Sequence, residues 1–469
     1  MSGNEDLALI AHLIRRAGFG ANRDQLEIYA AQGYEAIVEE LLNPEQQPPF
    51  DDDLAYRYVP YFRMGTGIPS YQCYWMYRMI STQRPLEEKM TLFWHHIFAT
   101  SHSKLNRNPQ MNKQLQLLRG FAMGNFRTVL IELSKDPAMI VWLDNCDNHD
   151  GSVNENYGRE LLELFSMGVG NYSEHDVKEA ARAFTGWTIG NTEYMTLKSM
   201  RDSVWPYGRL SFHFEYKEHD HDNGEKEFLG HRGNLNGEDI VDIICQQPAT
   251  ATFLSRHMYS FFVADEPQVP SWNITPPADP EAIAILERAY HDSSYNIASV
   301  LRVLFNSDFF KDARFKHVKS PAELVVGTVR MAQGLSGPQV GYQSAADECT
   351  YQGQELLNPP SVESWHTGEE WIDGGALVRR VNFAAKYFSN TNLQGIRTII
   401  DYIKARGTLS PNDFLDSCLE LMGPIELGNS TYQELLKHIT EDGDLSWDSS
   451  HDTSESERRI GILLAMVSA

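Results

Sequence analysis

Cysteine is scarce in this chain of 469 residues, and so is basic charge. The five cysteines, Cys73, Cys146, Cys245, Cys349 and Cys418, are scattered and form no Cys-x-x-Cys pair. That excludes a zinc ribbon, an iron–sulfur cluster and a dense disulfide framework. A sparse, odd set suits a reducing compartment, with each thiol packed as a small hydrophobe. Lysine and arginine number 40 against 64 aspartates and glutamates, a formal net charge of −24. No Lys/Arg-rich run makes a basic face, so nucleic acid is not an expected partner. Acidity of this size speaks for solubility and for repulsion from anionic membranes. Long apolar runs are missing too. The most apolar tail, IGILLAMVSA at 460–469, falls well short of the about 20 residues that span a bilayer. The first residues, MSGNEDLALIAHLIRRAGFG, place acids ahead of the apolar stretch and show no small-residue cleavage site, so they do not read as a secretory signal. The expectation is a soluble, cytoplasmic protein, with export by a leader removed before residue 1 as the alternative. P-loop, GxGxxG, GxSxG and HExxH patterns are absent, which argues against standard nucleotide, dinucleotide, serine-hydrolase and zincin chemistry. Glu-x-x-His occurs only at Glu218/His221 and Glu363/His366, both in turn-like contexts, so a ferritin-like di-metal bundle is not expected.

What is present is core-forming. Hydrophobic residues make up 42% of the chain and aromatics 11%, enough for a sizeable interior. Helical period runs through most of it. Leu7, Ile10, Ala11 and Ile14 form one stripe, stopped by Gly18 and Gly20. SYQCYWMYRMIST and PLEEKMTLFWHHIFATS read as further helices, the second with Pro85 in its first turn. The pattern changes after Trp187, where LSFHFEYKEHDHDNGEKEFLG alternates and is aromatic. It predicts a short β-hairpin turning at DNG. The resulting expectation is a mainly α-helical, large multi-helix globular body with a small β-hairpin insertion. It divides into an N-terminal helical region (1–190), the hairpin insertion (191–235), a helical region (236–345) and a C-terminal loop-plus-helix region (346–469), in one or two compact domains.

The densest polar stretch is NENYGRELLELFSMGVGNYSEHDVKEAARAFTGW at 154–187. Glu155, Arg159 and Glu163 are spaced i, i+4, i+8, so on a helix Arg159 reaches both carboxylates. Tyr157, Leu161, Leu164 and Phe165 give the apolar stripe. Gly168 and Gly170 end this helix, and Ser173 with Asp176 resembles a capping box that starts the next. Two antiparallel helices would bring Glu160 or Glu163 near Asp176, Glu179 and Arg182. That cluster is either an ion-pair network that fixes the hairpin or a paired-carboxylate site for proton transfer or a divalent cation.

The chain resembles a bacterial family, the domain of unknown function numbered 1800. The resemblance rests on that stretch and on HLIRRAGFG (12–20), MTLFWHHIFATS (90–101), DPAMIVWLDN (136–145), HDNGEKEFLG (221–230), QPATATFLSRHMYSFFV (247–263), KSPAELVVGTVR (319–330) and NPPSVESWHTGEEWI (358–372). It covers nearly the whole chain. The resemblance implies little about activity. It does imply a partner, since genes of the family commonly lie beside those of a sulfatase-like family. Many members have W-x-x-H-F or W-H-x-H-F near Trp94, whereas this chain has Ile97 where the second histidine would fall.

Adjacent histidines on a helix point about 100° apart, so His95 and His96 do not readily hold one ion. His95 is either a core residue or a site group. At HDHDNGEKEFLG, turn chemistry competes with a site lip in which His221 is a base and Lys226 contacts an anion. Trp365 and Trp371 either pack or line a cleft. The leading expectation is an enzyme with Glu160, Glu163, Asp176, His95 and His221 as catalytic groups and Arg159, Arg182, Lys226, Trp187 and Trp365 holding substrate. The alternative is a non-catalytic binding or assembly partner of the sulfatase-like protein. No cofactor or metal identity follows from the sequence, nor an oligomeric state.

Overall fold

The stripe at Leu7, Ile10, Ala11 and Ile14 is buried on a helix, Ser2–Arg16. This is seen in the computed structural model of the protein, which describes residues 2–58, 67–105, 108–190, 212–339, 341–447 and 453–468. The protein is mainly α, and among the described residues the only sheets are two antiparallel two-stranded ones. Prolines open the helices Ile68–Ser81 and Pro85–Ile97 in their first turns, where a missing N–H costs nothing. Asn125 and Asp136 cap Phe126–Ser134 and Pro137–Trp142 through their side chains.

The 154–187 stretch forms the expected helical hairpin, Asn156–Glu163 and Glu174–Ala183. Gly168 and Gly170 take φ of 77° and 91° between them, a region that costs glycine little. The capping box is made in both directions, with Ser173 N–H donating to Asp176 at 2.8 Å and Asp176 N–H to Ser173 Oγ at 3.3 Å. Gly158 explains why the two helices pack so closely. A Cβ there would lie 2.9 Å from Ala181 N and 3.0 Å from Val177 O, so the backbones touch.

Two local expectations differ in the structure. Arg159 does not bridge Glu155 and Glu163. It pairs with Glu155 at 3.3 Å and crosses to Glu174 on the second helix at 2.7 Å, while Glu163 accepts from Tyr172 Oη at 2.9 Å. The DNG segment is not a hairpin turn either. Strand β1 (Trp187–Gly190) pairs with β2 (His213–Tyr216), and β3 (Lys226–Phe228) pairs with β4 (His231–Gly233). Asp222 is captured by Arg182 at 2.6 Å, and Lys226 Nζ donates to the carbonyls of Asp222 at 2.5 Å and Gly224 at 3.2 Å, which fixes DNG as a pinned loop. The two positive φ angles of a tight hairpin come instead from Leu229 (47°) and Gly230 (80°). Residues 191–211 of the proposed insertion lie outside the described residues.

Three apolar clusters hold the molecule. The first joins the N-terminal helix, Pro85–Ile97, the hairpin and the helices from Gly237 to Asn306. The second centres on Ile68–Ser81, Pro321–Ala332 and Gly341–Tyr351. The third gathers the helices Gly374–Phe388, Gln394–Ala405, Pro411–Leu421, Asn429–Thr440 and Thr453–Ser468. Phe261 packs against the first two clusters and Tyr387 against the last two. The seam that Phe261 bridges is where the principal cleft opens.

Candidate functional site

Helix Pro85–Ile97 shows Leu92, Phe93 and His96 on one face, as i, i+1 and i+4 spacing dictates. That face lines a cleft of about 350 Å³. Helix Pro248–Phe262 adds His257, Ser260 and Phe261, and the turn opening Pro321–Ala332 adds Ser320 and Glu323. The loop from 354 to 371 closes the cleft with Glu363, Trp365, His366, Glu370 and Trp371, facing Trp272. Among the described residues no lysine or arginine lines it.

His96 Nδ1 lies 2.9 Å from Ser364 Oγ, and its ring is nearly parallel to that of Trp365 at 12°. Burial lowers its pKa to about 4, so it is a neutral imidazole at neutral pH. Ser364 is held at φ 77°, a strained conformation for a serine; strain of this kind recurs at functional sites. His257 is clasped edge-on by Phe253 and tilted against Trp272, with ring centroids at 4.4 and 4.6 Å. Burial, then the neighbouring His96 and Arg256, hold it well below its ordinary value. Its Nε2 is buried and has no hydrogen-bond partner among the described residues, and the same holds for Trp365 Nε1.

The back of the cleft is charged but satisfied. Glu323 accepts from Ser320 N–H at 2.8 Å and from Arg16 at 3.3 Å, and it forms a short ion pair with the fully buried Lys89. Burial opposes its ionisation, and Lys89 and Arg16 overcome that, holding the carboxyl well below the usual range. His317 Nδ1 is 2.7 Å from Asp265, close enough for an ion pair but not aligned as a hydrogen bond. Among the described residues, no group of three or more His, Cys, Asp or Glu side chains is arranged to hold a metal ion.

Of the ten residues given catalytic or substrate-binding roles from sequence, only Trp365 is in the lining of this cleft, with Trp371 beside it. His95 is 1% exposed and packs between Trp75 and Trp365, one position away from the cleft-lining His96. Asp176 caps its own helix and accepts from Leu229 N–H at 2.8 Å. Arg182 joins Glu179 to Asp222, at 2.9 and 2.6 Å, and Glu179 accepts from Glu227 N–H at 3.0 Å. His221 bonds the carbonyl of Thr185 at 2.9 Å, and Lys226 is absorbed by the loop carbonyls. Trp187 packs with Phe184 and Phe214. These groups therefore pin the 222–229 segment onto the second hairpin helix and do not converge with the histidines of the cleft. Arg159 and Glu163 are partnered along the hairpin as described above. Sequence reasoning missed His96, His257, Trp272, His317 and Glu323, although all but Trp272 lie in a segment quoted for the family resemblance or within two residues of one.

Glu160 is different. It is half-buried, its carboxylate makes no hydrogen bond or ion pair among the described residues, and it shares a helix face with the cleft-lining Leu164 one turn on. Burial first, then Glu163 and Glu363, raise its pKa to about 7. The folded protein thus keeps a proton that the unfolded chain releases near 4.5. Stability from this group falls as pH rises through that window, and the penalty is complete above about 7. Glu160→Gln is expected to raise the melting temperature above pH 7 and to leave it unchanged near pH 4.5. Equal shifts at both pH values would sink the argument.

A family model described as "Protein of unknown function (DUF1800)" matches residues 12–467, so the chain belongs to that family. No curated protein and no solved structure matches the chain. No helix among the described residues is long and apolar enough to cross a membrane.

Proposed function

We propose that this member of the DUF1800 family is an enzyme whose active site is the histidine- and tryptophan-lined cleft. It binds an uncharged, hydroxyl-bearing substrate and activates it by general-base catalysis at His96. One observation carries the reading: His257 Nε2 and Trp365 Nε1 are both buried in the wall of one cleft and both lack a partner. A buried polar atom left unpaired costs about 1–3 kcal/mol, which a ligand hydroxyl or carbonyl recovers. The absence of lysine and arginine from the lining, with Glu363 and Glu370 present, disfavours an anionic substrate. Tryptophan faces suit the apolar face of a sugar or a comparable ring. Glu160, one helical turn from the cleft-lining Leu164 and with its pKa raised to about 7, is the proton donor in this reading.

The experiment is tryptophan fluorescence across a panel of neutral saccharides and polyols, followed by turnover of neutral nitrophenyl glycosides and esters. At least one neutral ligand is expected to quench fluorescence and to bind more weakly to Trp365→Ala. A panel in which only anions bind this cleft would overturn the reading.

A second reading, docking to a sulfatase-like partner, is favoured by a separate observation. Leu377, Val378 and Val381 are exposed together on one face of the helix Gly374–Phe388. If that face docks, Val378→Glu abolishes co-purification with the partner and leaves ligand binding in the cleft intact.

A further inference from the structure

Behind the Glu323 wall lies a second cavity, of about 320 Å³, which shares only His317 with the cleft. Its charge is opposite. Arg15, Arg16, Lys316 and Lys319 line it, and among the described residues no aspartate or glutamate does, in a chain whose net charge is −24. Arg16 is already committed, through Phe262 O at 2.9 Å and Glu323 at 3.3 Å. Arg15 is half committed. Its Nη1 donates to Gly423 O, its guanidinium lies 5.3 Å from the Phe315 ring centroid, and its buried Nη2 has no partner among the described residues. Lys319 is an exposed side chain that lines the cavity, and among the described residues neither it nor Lys316 makes an ion pair. The acids nearby are occupied: Glu323 by Lys89 and Arg16, and Glu426 by Arg314 at 2.8 Å. The rest of the wall is apolar, built largely from Leu324, Met331, Phe388, Met422, Ile425 and Val467.

We propose that this cavity binds an anionic amphiphile, with one carboxylate or phosphate headgroup held by Arg15 Nη2 and Lys319 and an apolar body lying against Phe388, Met422, Ile425 and Val467. Clustered cations without counter-charges repel one another, and an anion relieves that repulsion while filling the open donors with charge-assisted hydrogen bonds. The volume lies at the small end of ligand cavities, which suits a single medium-length chain and not a diacyl lipid.

Calorimetric titration of the full-length protein with decanoate, decyl phosphate, decanol and inorganic phosphate tests this. Decanoate, decyl phosphate or both bind, and the stronger of the two identifies the headgroup. Decanol and inorganic phosphate bind at least roughly tenfold more weakly, because each lacks half of what the cavity recognises. Lys319→Ala and Arg15→Gln each weaken the amphiphile by roughly tenfold or more. Ile425→Trp, which fills the apolar end, does the same. Lys319 is a surface-accessible side chain, so its variant keeps the wild-type melting temperature, and a loss of binding there is not a loss of fold. Decanol binding as tightly as decanoate, inorganic phosphate binding as tightly as decyl phosphate, unchanged affinity in Lys319→Ala, or no binding by either anion overturns the proposal. Trp365→Ala, in the other cleft, leaves this affinity unchanged, so the two sites fail or succeed separately.

Discussion

Replacing Glu88 by glutamine is expected to lower stability by about 3–5 kcal/mol, the typical loss when one partner of a buried ion pair is removed. Glu88 is completely buried. Its carboxylate accepts from Arg78 Nε at 2.8 Å, Arg119 Nε at 2.7 Å, Arg119 Nη2 at 3.0 Å and Trp75 Nε1 at 3.1 Å. Glutamine keeps the shape and one acceptor, but its amide turns two donor hydrogens toward guanidinium donors. Arg78 retains Asp52 at 2.7 Å, whereas Glu88 is the only acid paired with Arg119 among the described residues. Burial by itself would push the Glu88 carboxyl up; Arg119 and Arg78 outweigh it and hold the pKa below the ordinary 4.5. A depressed carboxyl gives stability that is complete above its unfolded value and is lost as pH falls through its folded one. The gap between wild type and Glu88→Gln is therefore constant above about pH 4.5 and narrows only below it. Urea unfolding across that range reads it directly. A gap under about 1 kcal/mol at neutral pH would show that the triad is no more than an exposed ion pair in effect.

The same network shows what could be read from sequence. The hairpin at 156–183 was legible because its determinants are local: a 3.6-residue stripe, positive-φ glycines and a Ser–Asp box three residues apart. Helical spacing also sets Glu160 on a row beside the Glu155–Arg159–Glu163 ladder, without a partner of its own. Side chains that reach across the fold were not legible. Arg159 has two acids at helical spacing, yet it takes Glu174 on the other helix. Spacing alone leaves His221 and Lys226 readable as a site lip; the loop they sit on is pinned by Arg182, which reaches Asp222 from 40 residues away in sequence. The cleft is the extreme case, because its wall is drawn from residues between Leu92 and Trp371. Choosing between His95 and His96 needs the core to be known. His96 shares a face with Leu92 and Phe93 at the cleft, and His95 turns into the packing between Trp75 and Trp365.

If the cleft is catalytic, His96→Gln is expected to lower kcat/KM by about 10²–10⁴, the usual worth of a positioned general base. Glutamine leaves an amide able to reach Ser364 and to stack on Trp365, so ligand affinity and melting temperature are expected to hold. The pH profile gives the second readout. The imidazole must be neutral to accept a proton, and burial holds its pKa near 4. The acid limb of activity thus lies where pH drops through about 4, well below the range in which a solvent-exposed histidine loses function, and a proton supplied by Glu160 adds an alkaline limb near pH 7. Ser364→Ala separates two roles for the hydroxyl 2.9 Å from Nδ1. If Ser364 only orients the ring, turnover falls modestly and the acid limb moves, because the hydrogen bond that sets the tautomer is gone. If Ser364 is itself the nucleophile, its loss matches that of His96→Gln and the double variant is no worse than either single one. Wild-type turnover in His96→Gln would place the chemistry elsewhere, and His257, with its open Nε2 on the same wall, is the next residue to substitute.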